Sequence, residues 1–291
     1  MKTRTTFIIS NKGITDPAIN LALEEYCFRA LDPQQDYLLF YVNSASAIIG
    51  AHQNPWEQIN EAYIMKKGIP VIRRISGGGA VYHDMGNVNV CFITSHDREK
   101  FGRFEFFTQP IIHTLNRLDI PAIHAHQNII EVEGKKISGN AQFANTKRMF
   151  SHGTLLFNTN LVALAHALNS TLSPLSSKGI PSLKREVANI SDYLKNPLPM
   201  DTFMKLLLAN ISIAYGDLNK LELSHDAWSE IHILAECKYK TWEWVYGRSP
   251  HFTVREEYGS GSKYLPVHIY IEKGGRVSKG NLPPSFSHNR T

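Results

Sequence analysis

The sequence predicts an α/β fold in which helices cover a sheet, and three observations predict it. Short β-branched and aromatic runs alternate with amphipathic stretches at helical spacing, capping signals mark helix starts, and the composition is that of a globular chain. Of 291 residues, 43 % are hydrophobic and 20 % charged, which allows one large domain with a sizeable core, or one plus a small appendage.

Asp16 before Pro17 is an N-cap with proline at the first helical position, and Ile19, Leu23, Tyr26, Cys27, Ala30 and Leu31 then recur on one face. Tyr37 to Val42 and Ala45 to Ile49 read as strands parted by Asn43 and Ser44; Val71 with Ile72 makes a third, ending in a glycine-rich segment, and Val88 to Thr94 a fourth. Phe104, Phe107, Ile111, Leu115 and Leu118 fall at helical spacing, with Pro121 as a stop. Ile129 to Val132, the turn residues Glu133 and Gly134, and Lys135 to Ser138 form a hairpin that presents Lys136 on its returning strand. Leu155 to Phe157 follows as a strand. Asp201 can cap a helix through Tyr215, striped by Met204, Leu207, Leu208, Ile211 and Ala214, and another helix runs from Ala227 to Lys238. Gly247, Ser249 and Pro250 break the pattern. The boundary is placed there: 1–246 as the main domain, 247–291 as a small segment with a strand at Leu265 to Glu272, a turn at Gly274 and Gly275, and a proline-rich polar tail from Asn281 to Thr291 expected to be disordered.

Composition also narrows the function. No apolar run approaches the roughly 18 residues of a membrane span, and Met1 to Ser10 is too short an apolar stretch for a signal peptide, so an intracellular, cytoplasmic protein without a membrane partner is expected. The formal charge of +5 is spread along the chain; nucleic acid is not indicated, and a mild positive field suits an anionic nucleotide or an acidic protein. Cys27, Cys91 and Cys237 are odd in number and embedded in apolar segments, which predicts buried free thiols rather than a disulfide framework or zinc site.

Three segments can carry chemistry. Arg73-Arg74-Ile75-Ser76-Gly77-Gly78-Gly79-Ala80-Val81-Tyr82-His83 sets two arginines and three successive glycines at a strand end, with Asn87 just beyond. Consecutive glycines let backbone amides converge on an anion or flat ligand, and Arg74 can add a charge-assisted contact. The plainer reading is a surface loop flanked by solvated arginines. The spacing is neither a phosphate-binding Walker loop nor a dinucleotide fingerprint. In Lys135-Lys136-Ile137-Ser138-Gly139-Asn140-Ala141-Gln142, alternation leaves Lys136 and Ser138 on one side of a strand. A lysine aimed into a pocket there can hold a carboxylate and a phosphate together; on its own it reads rather as an exposed hairpin lysine. The third segment, Ser151-His152-Gly153-Thr154-Leu155-Leu156-Phe157, carries a single histidine. His124 and His126 lack companion ligands at metal spacing, and no metal is assigned to them.

In this order and spacing the three segments resemble the lipoate-protein ligase family, within the group that also holds biotin ligases and octanoyl transferases. The Arg-x-Ser-Gly-Gly-Gly-Ala-Val-x-His-Asp-x-Gly-Asn run, Lys-x-Ser-Gly-x-Ala and His-Gly-Thr-Leu-Leu all stand unbroken. His52-Gln53-Asn54-Pro55, Ser177-Lys178-Gly179-Ile180 and Trp242 through Gly247 match as well. The resemblance implies a mixed β-sheet flanked by helices, like the catalytic domain of class II aminoacyl-tRNA synthetases and biotin ligases. It implies that Lys136 is catalytic, contacting the reacting carboxylate and phosphate. Arg74, Ser76, Gly77, Gly78, Gly79, Ala80, Val81, Tyr82, His83, Asn87, Ser138, Gly139 and His152 would line the site for lipoate, ATP and lipoyl-AMP.

The implied reaction joins lipoate to ATP with Mg2+, forming lipoyl-AMP and pyrophosphate, and then passes the acyl group to a carrier lysine. The expected carriers are lipoyl domains of 2-oxoacid dehydrogenase E2 subunits and the glycine-cleavage H protein. Oriented amides and Lys136 can stabilise the developing charge without a protein nucleophile, which fits a site lacking a Ser/His/Asp arrangement. The family's Arg-Asn-Asp triplet before the hairpin lysine is Gln127-Asn128-Ile129 here, and the residues after Gly247 resemble only the opening of an accessory domain. Three other readings stay open: a transferase using preformed lipoyl-AMP, a cysteine-dependent octanoyl or lipoyl transferase, and a non-catalytic lipoate-binding protein.

Overall fold

The computed structural model of the chain describes residues 5–126, 128–170, 175–177, 179–180, 182, 185–260, 263–271 and 277–280. Strands and helices alternate as expected. The elements are β1 (Thr6–Ile9), α1 (Pro17–Ala30), β2 (Asp36–Tyr41), β3 (Ser46–Ile49), α2 (Pro55–Gln58), α3 (Glu61–Lys67), β4 (Val71–Arg73) and β5 (Val81–His83). There follow β6 (Asn87–Ser95), α4 (Glu105–Asn116), β7 (Ala122–Ala125), β8 (Ile129–Val132), β9 (Lys135–Ala144), β10 (Arg148–Leu156), α5 (Leu161–Ala167) and β11 (Leu175–Ser177). The last are α6 (Met200–Tyr215), β12 (Leu218–Leu221), α7 (His225–Leu234), α8 (Trp242–Val245), β13 (Phe252–Ser260), β14 (Lys263–Ile271) and β15 (Val277–Gly280). Among the described residues an eight-stranded mixed sheet runs β12-β1-β2-β6-β10-β9-β8-β7, parallel through β12, β1 and β2 and antiparallel beyond. Two smaller sheets run β4-β3-β5 and β11-β13-β14-β15.

Period-two alternation splits the central strands between two faces. Leu38 and Phe40 of β2 and Val88, Val90 and Phe92 of β6 meet Phe107, Ile111 and Leu115 of α4 and Phe203, Leu207 and Ile211 of α6. Leu39, Tyr41, Cys91 and Ile93 face the other way, onto Leu21, Cys27 and Phe28 of α1 and Trp228 and Ile231 of α7. A sheet covered on both faces is why these strands read as nearly continuous apolar runs. Each such side chain contributes about 1.5–3 kcal/mol by leaving water.

α1 begins where its cap predicts: Ala18 N and Ile19 N donate to Asp16 Oδ1 at 2.8 and 3.3 Å. Its buried stripe is turned from the expected one. Ala30 is exposed and Ile19 and Tyr26 are half-buried, while Asn20, Glu24 and Glu25 are enclosed. Glu25 is held at the far end by Lys238 Nζ and the Tyr239 hydroxyl, at 2.6 and 2.7 Å. Burial alone would raise its pKa, but the Lys238 and Tyr239 hydrogen bonds outweigh burial and the net shift is downward.

α6 starts at Met200, so Asp201 sits in the first turn rather than at the cap. α4 carries Pro110 in its interior, which removes the donor for the Phe106 carbonyl one turn back; the Tyr215 hydroxyl donates there instead, at 2.9 Å. The expected last helix runs as α7 and continues into a π turn over Ala235–Tyr239. Cys27 and Cys91 are buried, but Cys237 is exposed on that turn, contrary to expectation. The glycine turn at 274–275 and the tail 281–291 lie outside the described residues. Among those described, no helix is long and apolar enough to cross a membrane.

Candidate active site

The arginine pair at the end of β4 is not solvated. Arg73 is fully buried and Arg74 is 6 % exposed, and burial draws the pKa of each down to about 10, so both remain cations at neutral pH. Arg74 turns inward and organises the glycine loop: its Nη2 donates to the carbonyls of Gly77 and Gly79 at 2.6 and 2.8 Å, its Nε to Ser76 Oγ at 3.0 Å, and its Nη1 to Ile48 O at 3.3 Å. With those carbonyls turned to the guanidinium, the amides of Gly77, Gly78 and Gly79 donate to no group among the described residues. They are free for an anion. Gly78 adopts φ +88°, open to glycine, and Gly50 lets the loop pack onto β3, since a Cβ there would stand 2.2 Å from Gly78 O.

Beneath the loop, between α1, the main sheet and the three-stranded sheet, lies a cavity of about 420 Å³. Arg74, Gly78, Gly79, Ala80, Val81 and His83 line it together with Lys136, Gly139 and His152. Ser76, Gly77, Tyr82, Asn87 and Ser138 lie behind or beside the wall. Tyr82 packs with Ala47 and Ile64, and the Asn87 amide donates to Asn89 Oδ1 at 3.2 Å.

Lys136 follows a turn in which Glu133 and Gly134 both have positive φ, the tight geometry that the Glu-Gly pair predicts. A register shift then sets Ile130 opposite Ser138 but Glu131 opposite Lys136. This bulge breaks the simple alternation expected. Lys136 shares its face with Gly139, whose Cβ, if present, would stand 2.9 Å from Lys136 Nζ, while Ser138 is buried and accepts from Asn140 Nδ2 at 3.2 Å. Nζ makes no hydrogen bond among the described residues, and burial, with Arg74 and Arg185 nearby, holds its pKa below the usual lysine range.

His152 is tied on both ring nitrogens. Nδ1 lies 2.7 Å from Glu24 Oε2, Nε2 lies 2.7 Å from Ser76 Oγ, and the Tyr41 hydroxyl donates to Glu24 Oε1 at 2.9 Å. A serine, a histidine and a carboxylate therefore do align, contrary to the sequence expectation. Ser76 is fully enclosed and already accepts from Arg74, so the arrangement braces the wall rather than presenting a nucleophile.

Several wall residues are absent from the sequence prediction. Leu21 and Glu24 come from α1, Tyr41 from β2, and Ile180 and Ser182 from a strap over the glycine loop. A signal for the strap existed: Gln53, in the His-Gln-Asn-Pro run, donates to Ile180 O and Ser182 Oγ, both at 3.1 Å, and Ala80 N donates to Ser182 Oγ at 2.8 Å. Two matched motifs far apart in sequence thus meet over the cavity. Of the altered triplet, Gln127 lies outside the described residues; Asn128 and Asn140 exchange hydrogen bonds across the hairpin, and Ile129 is a buried part of the wall.

Residues 16–212 match the family model of the lipoyl protein ligase A/B catalytic domain. The chain is 45 % identical to lipoate-protein ligase LplJ of Bacillus subtilis over 91 % of its own length and 81 % of that protein's. Two solved Thermoplasma acidophilum structures, one described as a lipoate protein ligase with bound lipoic acid and one as a bi-partite ligase with its E2 lipoyl domain, each align at 26 % identity and a TM-score of 0.70. They cover 84 % of this chain and 98 % and 96 % of their own. A lipoate-protein ligase A bound with ATP aligns at 25 % identity and a TM-score of 0.69, over 84 % of this chain and 98 % of its own. The family match spans the glycine loop, the hairpin lysine and the strap that together enclose the cavity, and the chain belongs to the lipoate-protein ligase family.

Proposed function

We propose that the protein makes lipoyl-AMP and pyrophosphate from lipoate and ATP and then transfers the lipoyl group to a lysine of a lipoyl carrier domain. The observation that carries this reading is Lys136: a half-buried ammonium without a protein partner among the described residues, lining the same cavity as Gly78 and Gly79, whose amides have no partner among those residues. Those groups suit a carboxylate oxygen attacking the α-phosphorus as pyrophosphate leaves, and then a carrier amine attacking the carbonyl as AMP leaves. The cavity residues all lie before residue 247, in keeping with a catalytic unit at 1–246 and an appended segment at 247–291. The reading extends to acceptors of the E2 lipoyl-domain and H-protein kind, supported by the solved relative described with its E2 lipoyl domain, and to a cytoplasmic location with access to ATP.

Mg2+ enters with ATP as part of the substrate. Among the described residues the cavity wall carries one carboxylate, Glu24, which Tyr41 and His152 engage, and no cluster of metal-binding side chains is found. The wall therefore suits an ion held by phosphates and water rather than by a protein cage.

Thioester chemistry is disfavoured by geometry. No cysteine lines the cavity among the described residues, and burial holds the Cys27 and Cys91 thiols far above the range of a working thiolate. A second reading, transfer from preformed lipoyl-AMP alone, is favoured by Ile129, an apolar wall residue where the resemblance places an acid. The test is to incubate the protein with an apo lipoyl domain and either lipoate with Mg-ATP or synthetic lipoyl-AMP, following the domain's mass. Modification in both reactions is expected; modification with lipoyl-AMP alone would reduce the protein to a transferase, and none in either would sink both readings.

Gly139→Ala tests how the lysine is placed. Its methyl would meet Nζ at 2.9 Å and Cε at 3.0 Å, the movable end of a side chain, so the lysine shifts and the fold stays. Displacement of a reacting group by about 1 Å costs on the order of 10²-fold in rate. The adenylation rate is expected to fall by that order with the thermal midpoint little changed; an unaltered rate would show that the glycine does not position Lys136.

A further inference from the structure

The face of the sheet that carries Lys136 holds an ion pair which the reaction described above does not use. On β8, Ile130 and Val132 belong to the core packed on α4, as does Ile137 on β9. Ile129, which lines the cavity, and Glu131, two residues on, share the other face of β8. The register shift leaves that alternation intact, because the extra residue belongs to β9: Ile129 stands opposite Gly139, and Glu131 opposite Lys136. Side chains so paired have their Cβ atoms about 5 Å apart.

Glu131 is engaged from the far flank of Lys136. Its side chain is 10 % exposed, and its Oε1 accepts from Arg185 Nη1 at 2.7 Å. The pairing of β10 with β9 stops at Ser138, and residues 186–188 take the edge that β10 leaves open. There Lys136 N donates to Glu186 O at 2.9 Å, Ala188 N donates to Lys136 O at 3.1 Å, and Val187 stands beside Lys136 in parallel register. Glu131, Lys136 and Val187 are therefore neighbours across three backbones, and the Arg185 side chain spans the strand of Lys136 to reach the carboxylate. Its closeness also shows in the charge of Lys136: burial first, then Arg74 and Arg185, lower the lysine pKa.

Two cations held side by side repel, and one carboxylate does not cancel both. Arg185 Nη1 is taken by Glu131, while Nε and Nη2 donate to no group among the described residues, and the side chain is 30 % exposed. The buried carboxylate thus fixes a guanidinium whose remaining donors face outward, the planar fork that matches phosphate oxygens. In ATP the β- and γ-phosphates follow the α-phosphate directly. With the α-phosphate at Lys136, a cation beside that lysine meets them.

We propose that Arg185, aimed by Glu131, takes the β- and γ-phosphates of ATP and then the departing pyrophosphate. The proposal rests on the ligase reading of the cavity. As the lipoate carboxylate oxygen bonds to the α-phosphorus, the bond from that phosphorus to the bridging oxygen breaks, and its electron pair stays on the pyrophosphate. Arg185 stands where that charge gathers, and Lys136 where the mixed anhydride forms. Arg185 then contacts substrate in adenylation alone, since lipoyl-AMP carries neither of those phosphates, and Glu131 is a positioning residue.

The test compares the two half-reactions on the full chain. Arg185→Gln is expected to lower kcat/KM for Mg-ATP in lipoyl-AMP formation by about 10- to 100-fold, the worth of a hydrogen bond to a charged group, with KM for ATP rising. Acyl transfer from synthetic lipoyl-AMP to an apo lipoyl domain is expected to keep its rate. Calorimetry with Mg-pyrophosphate on the free protein should show affinity weakened by the same factor, and Arg185→Lys, a point charge without the fork, should recover part of it. Because losing the guanidinium strands a buried carboxylate, the double variant Arg185→Gln, Glu131→Gln removes that charge as well and is expected to show the same split between half-reactions. Unchanged kcat/KM for ATP and unchanged pyrophosphate affinity in these variants would overturn the proposal. Equal losses in both half-reactions, or a raised KM for the carrier, would overturn it too, making Arg185 a structural or a carrier-docking residue. A wild type that forms no lipoyl-AMP yet binds pyrophosphate through Arg185 would sink the ligase reading and leave the phosphate contact standing.

Discussion

Lys136→Met is expected to lower lipoyl-AMP formation by on the order of 10²–10³-fold and, at the same time, to raise the melting temperature. The first effect follows from removing a preorganised cation where charge builds up, which costs that much in sites of this kind. The second follows from desolvation. Burial is the largest cause of the lowered Lys136 pKa, with Arg74 and Arg185 adding repulsion, so the folded protein holds this charge at a penalty that the unfolded chain does not meet. Methionine keeps much of the length and removes the penalty, a gain on the order of 1 kcal/mol.

The sign with pH is fixed by the same shift. With the folded pKa below the unfolded value, the unfolded chain binds more protons between the two, and wild-type stability rises as pH climbs through that window. The variant lacks that rise, so its advantage is largest below the folded pKa and shrinks above it. Adenylation assays and calorimetry across alkaline pH measure both effects. A variant that keeps a tenth of the activity, or melts several degrees lower, would show that Lys136 is a structural residue.

Much of this arrangement was legible in the sequence, and the exceptions share a cause. The two-faced strand Tyr37 to Tyr41, the helix over Phe107, Ile111 and Leu115, and the Glu133-Gly134 hairpin follow from periodicity and turn chemistry, which are local. What stayed hidden depends on partners distant in sequence. Glu24 and Asn20 look like the polar face of a helix until His152, Tyr41 and Asn43 come to meet them from 17 to 128 residues away. The bulge at Lys136 is set by pairing with β8, and alternation within one strand cannot reveal it. The plainer reading of the arginines beside the glycine loop, as solvated, fails because a buried guanidinium normally needs a carboxylate, and here backbone carbonyls take that role.

Arg73 is the extreme case, and Arg73→Ala is expected to carry the largest stability cost in the molecule. The fully buried guanidinium donates to the carbonyls of Gly50, Ala51 and Gln53 at 3.0, 3.2 and 2.8 Å, and to those of Trp244 and Val245 at 3.1 and 2.6 Å. It thereby joins the segment after β3 to α8, while Trp244 Nε1 donates back to Arg73 O at 2.7 Å. Alanine would strand those carbonyls away from water and open a cavity, a loss of about 3–5 kcal/mol or more, equivalent to a fall in melting temperature of roughly 10 °C for a domain of this size. Lysine at the same position offers a point charge instead of a fork and is expected to recover only part of the loss. The damage should also reach the cavity. Gln53 belongs to the segment that Arg73 pins, and its side chain holds Ser182 over the glycine loop, so lipoate affinity should fall in Arg73→Lys even at temperatures where the protein is folded. Calorimetric melting and lipoate binding on the two variants separate the effects. If Arg73→Ala melted within a few degrees of the wild type, the guanidinium would be an incidental occupant of that carbonyl cage rather than the group that holds it together.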